Sequence, residues 1–201
     1  MGADPPLDLR FFGGFALNVE GRSIGLGGGR LPALLAYLVL HSGGPCSRMQ
    51  IAAAFWPDVA ESSGRNNLRQ LLHQLRQAWP AHERAIAIEA RSMEWHGGDA
   101  GRVDVLEFEH QLAVVRPTGR SDQRMLRDAL VRIAAIYRGA LLPDCYEDWI
   151  VPHRERLHRS ALHVLDGIVR LGEEDHASSQ ARPTTTPPAR STTHRSASVL
   201  Q

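Results

Sequence analysis

The 201-residue chain has no lysine: all 23 of its basic side chains are arginine. GC-rich coding is the simplest cause, and its chemical consequence is a set of planar, bidentate donors suited to phosphate and guanine. Cysteine is almost as scarce. Cys46 and Cys145 lie far apart, which excludes a disulfide scaffold, argues against a zinc site and fits a reducing, cytoplasmic setting. No apolar run is long enough for a bilayer, since Leu31 to Leu40 is about half of what a span requires. The N-terminus lacks a basic segment leading into an apolar one, so neither a membrane segment nor a signal peptide is expected. Excess charge is missing too. A formal net charge of +1 means that polyanion binding must come from a local patch.

What remains is a globular composition, 43% apolar and 22% charged, long enough for one or two domains with a core of their own. Short β-type runs from Leu7 and Phe15 flank the hairpin punctuation Gly13-Gly14, and Glu20-Gly21-Arg22 is a second turn before Ser23-Ile24. The glycine-rich stretch Gly25 to Gly29 lacks the Gly-Lys-Ser/Thr ending of a phosphate loop and reads as a strand-to-helix connection. Leu31, Leu34, Leu35 and Leu38 recur at helical spacing up to the stop at His41 to Pro45. Ser47 and Gln50 have capping-box spacing for a second helix ending near Trp56-Pro57. Ser62 or Ser63 then caps a third helix running to about Trp79.

That third helix holds most of the chemistry. Leu68, Leu71, Leu72, Leu75 and Trp79 form one apolar stripe, so the opposite face is set by the helical period. It presents Asn66, Gln70, His73 and Gln77 at its centre, Arg65, Arg69 and Arg76 on one flank and Gln74 towards the other, with no acid between Ser62 and His82. Asn and Gln amides match adenine, Arg matches guanine, and all donate to phosphate. A strand pair, Ile86 to Glu89 and Ser92 to His96, follows about the turn Ala90-Arg91. Helix, polar turn, acid-free helix and hairpin is the order of a winged helix-turn-helix, with Arg91 at the tip of the wing.

After Gly97-Gly98 helices alone are expected, which places a boundary near residue 100. Asp104 and Glu107 repeat the capping-box spacing, Asp122 to Arg138 is amphipathic with Gly139 as C-cap, and a last helix carries Leu157, Ala161, Val164, Leu165 and Ile168 to Gly172. The rest is Ser/Thr/Pro-rich and is expected to be a disordered tail. Catalytic patterns are weak. His153, His158 and His163, five residues apart, point about 140° from one another on a helix and cannot converge on one metal. Cys46 and His41 are near in sequence but sit at an ordinary packing position before a cap. No enzyme, cofactor or metal site is expected.

Three segments carry a family resemblance: Arg30-Leu-Pro-Ala-Leu-Leu-Ala-Tyr-Leu38, Ser47-Arg-Met-Gln-Ile-Ala-Ala-Ala-Phe-Trp-Pro-Asp58 and Gly64-Arg-Asn-Asn-Leu-Arg-Gln-Leu-Leu-His-Gln-Leu-Arg76. With Val103 to Phe108, Ile136 to Leu142, Asp148-Trp149 and Glu155 to Leu157, they make residues 7–171 resemble the SARP-type transcriptional activators of actinobacteria. The resemblance implies an OmpR/PhoB-type winged helix-turn-helix, α+β, over 7–98. An all-α, helical-repeat (TPR-like) bacterial transcriptional activation domain would follow over 103–171, with the tail at 173–201. That activation domain is expected to be truncated, because the family's continues in further repeats where this sequence turns Ser/Thr/Pro-rich. It also implies double-stranded DNA as partner and RNA polymerase holoenzyme recruited through a loop at Trp56, Pro57, Asp58 and Glu61. For the apolar stripe of the last helix, packing back on the helices at 104–138 and pairing with a second copy in a homodimer are competing expectations, partial exposure being the third. A protein-interaction scaffold without specific DNA binding is the competing expectation.

Overall fold

The computed structural model describes residues 7–27, 29–97, 101–115 and 123–180, with side chains to residue 174. The chain opens as a meander of β1 (Leu7–Arg10), β2 (Ala16–Val19) and β3 (Arg22–Ser23), antiparallel with Leu7 opposite Val19 and Asn18 opposite Ser23. Period-two alternation sends Leu7 and Leu9 inward. Gly13, at φ +74°, lies where a Cβ would come 2.8 Å from the Arg138 carbonyl oxygen, so only glycine lets the two backbones meet.

Next come α1 (Arg30–Leu40), β4 (Cys46–Ser47), α2 (Arg48–Phe55) and α3 (Glu61–Ala78). A 3₁₀ turn at Pro80–Arg84 leads into β5 (Ile86–Ile88) and β6 (Ser92–Trp95), and a second small sheet has the order β4-β6-β5. The chain then forms β7 (Arg102–Val103), α4 (Asp104–Val114), α5 (Gln123–Ile136) and, after a 3₁₀ turn at Asp148–Ile150, α6 (Val151–Gln180). The result is a mixed α/β structure with six helices and two small sheets among the described residues. No described helix is long and apolar enough to cross a membrane.

Several local expectations need correction. Helices alone were expected after residue 97, but β7 adds to the first sheet, parallel to β1, through Asp8 opposite Arg102 and Leu9 opposite Val103. Two residues are too few to show a period, and their partner lies far back in sequence. The capping box at Ser47 is half formed: Ser47 Oγ accepts from Met49 N–H at 3.3 Å, with no return bond from Gln50. Neither Ser62 nor Ser63 caps α3. The helix starts earlier, behind Ala60, and the Glu61 carboxylate sits in its first turn, where the helix dipole favours an anion.

Asp104 and Glu107 form no capping box either. The buried Asp104 carboxylate accepts from the N–H groups of Phe11 at 2.9 Å, Phe12 at 2.9 Å and Val105 at 2.8 Å, tying the start of α4 to the end of β1. Glu107 instead pairs with Arg102 at 2.7 Å. Gly139 lies beyond the end of α5 at Ile136. It approaches the first hairpin, where a Cβ would lie 3.2 Å from Gly13 Cα. The last helix does not stop at Gly172 but continues to Gln180. Glu173 and Glu174 are good helix formers, and Gln123 Nε2 donates to Glu174 across to α5 at 2.9 Å. Asp122 and residues 181–201 lie outside the described residues.

One apolar core runs through the described residues, from Leu9 and Phe11 through Leu34, Leu35 and Phe55 to Phe108, Ile133 and Leu157. Phe12 is edge-on to Phe108 and Tyr137, with ring centroids 5.5 and 5.0 Å away. The stripe of α6 packs back on α5 through Leu157, Ala161 and Val164, and at Gly167 the helices are so close that a Cβ would lie 3.0 Å from Leu130. Leu165, expected in that stripe, is 49% exposed.

Candidate nucleic-acid interface

The stripe of α3 is inward as its spacing requires: Leu68, Leu71, Leu72, Leu75 and Trp79 are all buried. Asn66, Gln70, His73, Gln77, Arg65, Arg69, Gln74 and Arg76 are all exposed. Some of these side chains are already engaged along the helix. Arg65 pairs with Glu61 at 2.6 Å, Arg69 donates to Asn66 Oδ1 at 3.5 Å, and Gln77 Nε2 lies 3.0 Å from His73 Nε2. Gln70, Gln74 and Arg76 make no hydrogen bond among the described residues. The face is therefore a row of amides and guanidiniums held by contacts that a ligand can replace at small cost.

Arg48, the first residue of α2, joins this face and was not singled out in the sequence. Its main-chain N–H donates to the Arg91 carbonyl at 2.9 Å, and its guanidinium donates to the carbonyls of Glu89 at 3.2 Å and Ala90 at 3.5 Å. Ser47 pairs with Ser92 in the same place. The hairpin turn bearing the exposed Arg91 is thereby fastened to the start of α2. Burial, then the positive charges of Arg76 and Arg69, hold the Arg48 guanidinium below its usual range. The Arg48 guanidinium of α2 thus lies in the field of two arginines of α3. The signal for Arg48 was its place directly after the cap, where helix geometry presents a side chain beside the next helix.

The connection between α2 and α3 lies at another edge. Pro57, Asp58 and Glu61 are exposed, whereas Trp56 is half-buried, packed on Phe55 and under the Arg30 guanidinium at 5.0 Å from its ring. Arg30 also pairs with Glu147 at 2.7 Å, and Trp149 stacks on Phe55 at 5.6 Å. Trp56, Pro57, Val59 and Glu61 line a cavity of about 280 Å³ with Met49 and Gly64.

The histidines expected to be separate are separate. His153 faces His41 at 5.5 Å between ring centroids, His158 Nδ1 is 3.0 Å from the Tyr137 hydroxyl, and His163 Nδ1 is 2.9 Å from the Arg159 carbonyl. No cluster of three metal-ligating side chains exists among the described residues. Burial, then the Glu94 carboxylate, push the Cys46 thiol up, away from a nucleophilic thiolate.

No family model matches the sequence, and no curated protein matches it. The fold is similar to that of EmbR from Mycobacterium tuberculosis, solved in complex with a low-affinity phosphopeptide, at a TM-score of 0.73 and 17% identity. The likeness covers 88% of this chain and 48% of EmbR, so the chain spans about half the length of that protein. At this identity the likeness carries the fold alone.

Proposed function

We propose that the chain is a SARP-type transcriptional regulator that reads double-stranded DNA. In this reading residues 7–98 form a winged helix-turn-helix with α3 in the major groove. Asn66, Arg69, Gln70 and His73 face base edges, Arg65, Arg76 and Gln77 face phosphates, and Gln74 stands at the rim. The β5–β6 hairpin is the wing, with Arg91 at a minor groove or phosphate. The observation that carries the reading is the exposed α3 face, free of acids beyond Glu61 and set beside Arg48 and the hairpin turn. Further support is the fold shared with EmbR, a SARP-family regulator.

Residues 103–171 are assigned to a helical effector part. Recruitment of RNA polymerase is assigned to Trp56, Pro57, Asp58 and Glu61, and the partly apolar cavity beside Trp56 supports a protein contact there. Selection from a random duplex pool tests DNA reading. The protein should enrich a discrete sequence, and Arg69→Ala with His73→Ala should not. Equal enrichment by both would overturn the assignment of α3, and no enrichment by the wild type would leave the scaffold reading.

A further inference from the structure

A cavity of about 350 Å³ lies away from α3, between the first sheet and the helices. Its walls are Asp8 and Arg10 of β1, Arg102 of β7, Asp104, Glu107 and Gln111 of α4, Arg132 of α5 and Arg138 two residues beyond its end. Such a volume is at the low end of the roughly 300–1,000 Å³ typical of small-molecule sites.

The lining carries opposite charges, but they are unevenly satisfied. Arg10 pairs with Asp8 at 2.6 Å and Arg102 with Glu107 at 2.7 Å. Both oxygens of Asp104 are taken by backbone N–H groups. The exposed side chains of Arg132 and Arg138 make no hydrogen bond or ion pair among the described residues, and the Arg138 charge acts on the Asp104 carboxylate. Two exposed guanidinium groups are thus left over in the lining of an open cavity, where Gln111 Nε2 donates to Glu107 at 3.2 Å. Paired guanidiniums select carboxylate or phosphate oxygens.

We propose that this cavity binds a small organic oxyanion, a phosphate monoester or a dicarboxylate, through Arg132 and Arg138. The ligand would join α5 to the wall formed by β1 and β7, so that occupancy raises the stability of the assembled sheet and helices. The site is distinct from the proposed DNA face and is measurable on the free protein.

Isothermal titration at low salt, with ribose 5-phosphate, succinate and inorganic phosphate as probes, tests it. One organic probe should bind saturably and raise the thermal midpoint, and the tighter of the two identifies the head group. Arg132→Gln with Arg138→Gln should weaken that binding by about tenfold or more for each guanidinium lost. Arg124→Gln with Arg127→Gln, on the same helix but outside the cavity, should leave it unchanged. An unaltered unfolding midpoint of the free variants separates loss of binding from loss of fold. The proposal is overturned by absence of saturable binding with all three probes, by equal weakening in both double variants, or by inorganic phosphate binding as tightly as the organic probes.

Discussion

Helices α3 and α6 are built alike on the inside and differ on the outside. Each buries a stripe of aliphatic side chains, Leu68 to Leu75 in one and Leu157 to Val164 in the other. Beyond Glu61, α3 shows solvent only serine, arginine, amides and histidine among its polar side chains, whereas α6 interleaves Glu155, Arg159, Asp166, Arg170 and Glu173 with the exposed Leu162, Leu165 and Val169. Apolar spacing therefore reports that a helix packs, and the sign pattern of the outer face reports what it can meet. A face with both signs neutralises itself, while one with a single sign retains a field that a polyanion can use.

The largest effect that sharpens this comparison concerns the inner faces. Leu72→Ala on α3, where the side chain is 1% exposed, should cost about 2–5 kcal/mol in chemical denaturation through the cavity it leaves. Leu165→Ala on α6 should stay within about 0.5 kcal/mol, because that side chain is half exposed. If both substitutions cost the same, the assignment of inner and outer faces on α6 is wrong.

The outer faces come next. Arg69→Ala or His73→Ala should weaken duplex binding by roughly 1–3 kcal/mol in an equilibrium titration while leaving the unfolding midpoint unchanged. Arg159→Ala and Arg170→Ala on α6 should leave duplex affinity untouched, and an equal loss there would erase the distinction between the helices.

A smaller effect is expected at Arg48. Arg48→Ala removes the side-chain bonds to the hairpin turn, and Arg48→Lys keeps the charge without the fork. If Arg48 positions the wing, the lysine variant should lose most of what alanine loses, about 0.5–1.5 kcal/mol of duplex affinity. Full rescue by lysine would make it a simple charge contact.

The smallest effect separates the helices by pH. Burial, then the neighbouring His41 and Arg156, hold His153 of α6 below the usual imidazole value. The neutral ring is favoured in the fold, so its contribution is present above about pH 6.5 and is lost as pH falls below it. His153→Gln should flatten the pH dependence of the thermal midpoint between neutral and mildly acidic conditions, and an unchanged profile would show that this seam does not titrate.

Much of this was legible in the sequence where spacing alone decides orientation. The leucines of α1 and α3 and the strands about Ala90-Arg91 needed only a period and a turn. What escaped depended on distant partners. The pairing of β7 with β1, and the turning of Asp104 towards Phe11 and Phe12 instead of its own helix, are made by residues about ninety positions apart. Arg48 was missed for a related reason, since its neighbours Arg69, Arg76 and Glu89 belong to other elements. Leu165 was misplaced because two adjacent leucine-type positions satisfy one helical stripe equally well until the packed partner, α5, selects between them.

The salt dependence of duplex affinity tests the central claim most directly. Log affinity should fall steeply and linearly with log salt for the wild-type chain, since each neutralised phosphate contributes a slope of about −0.9. Arg65→Ala with Arg76→Ala should make that slope shallower by up to about two units, whereas Arg159→Ala with Arg170→Ala should leave it unchanged. A flat dependence in the wild type, or equal slopes for the two double variants, would contradict the assignment of α3 as the face that meets DNA.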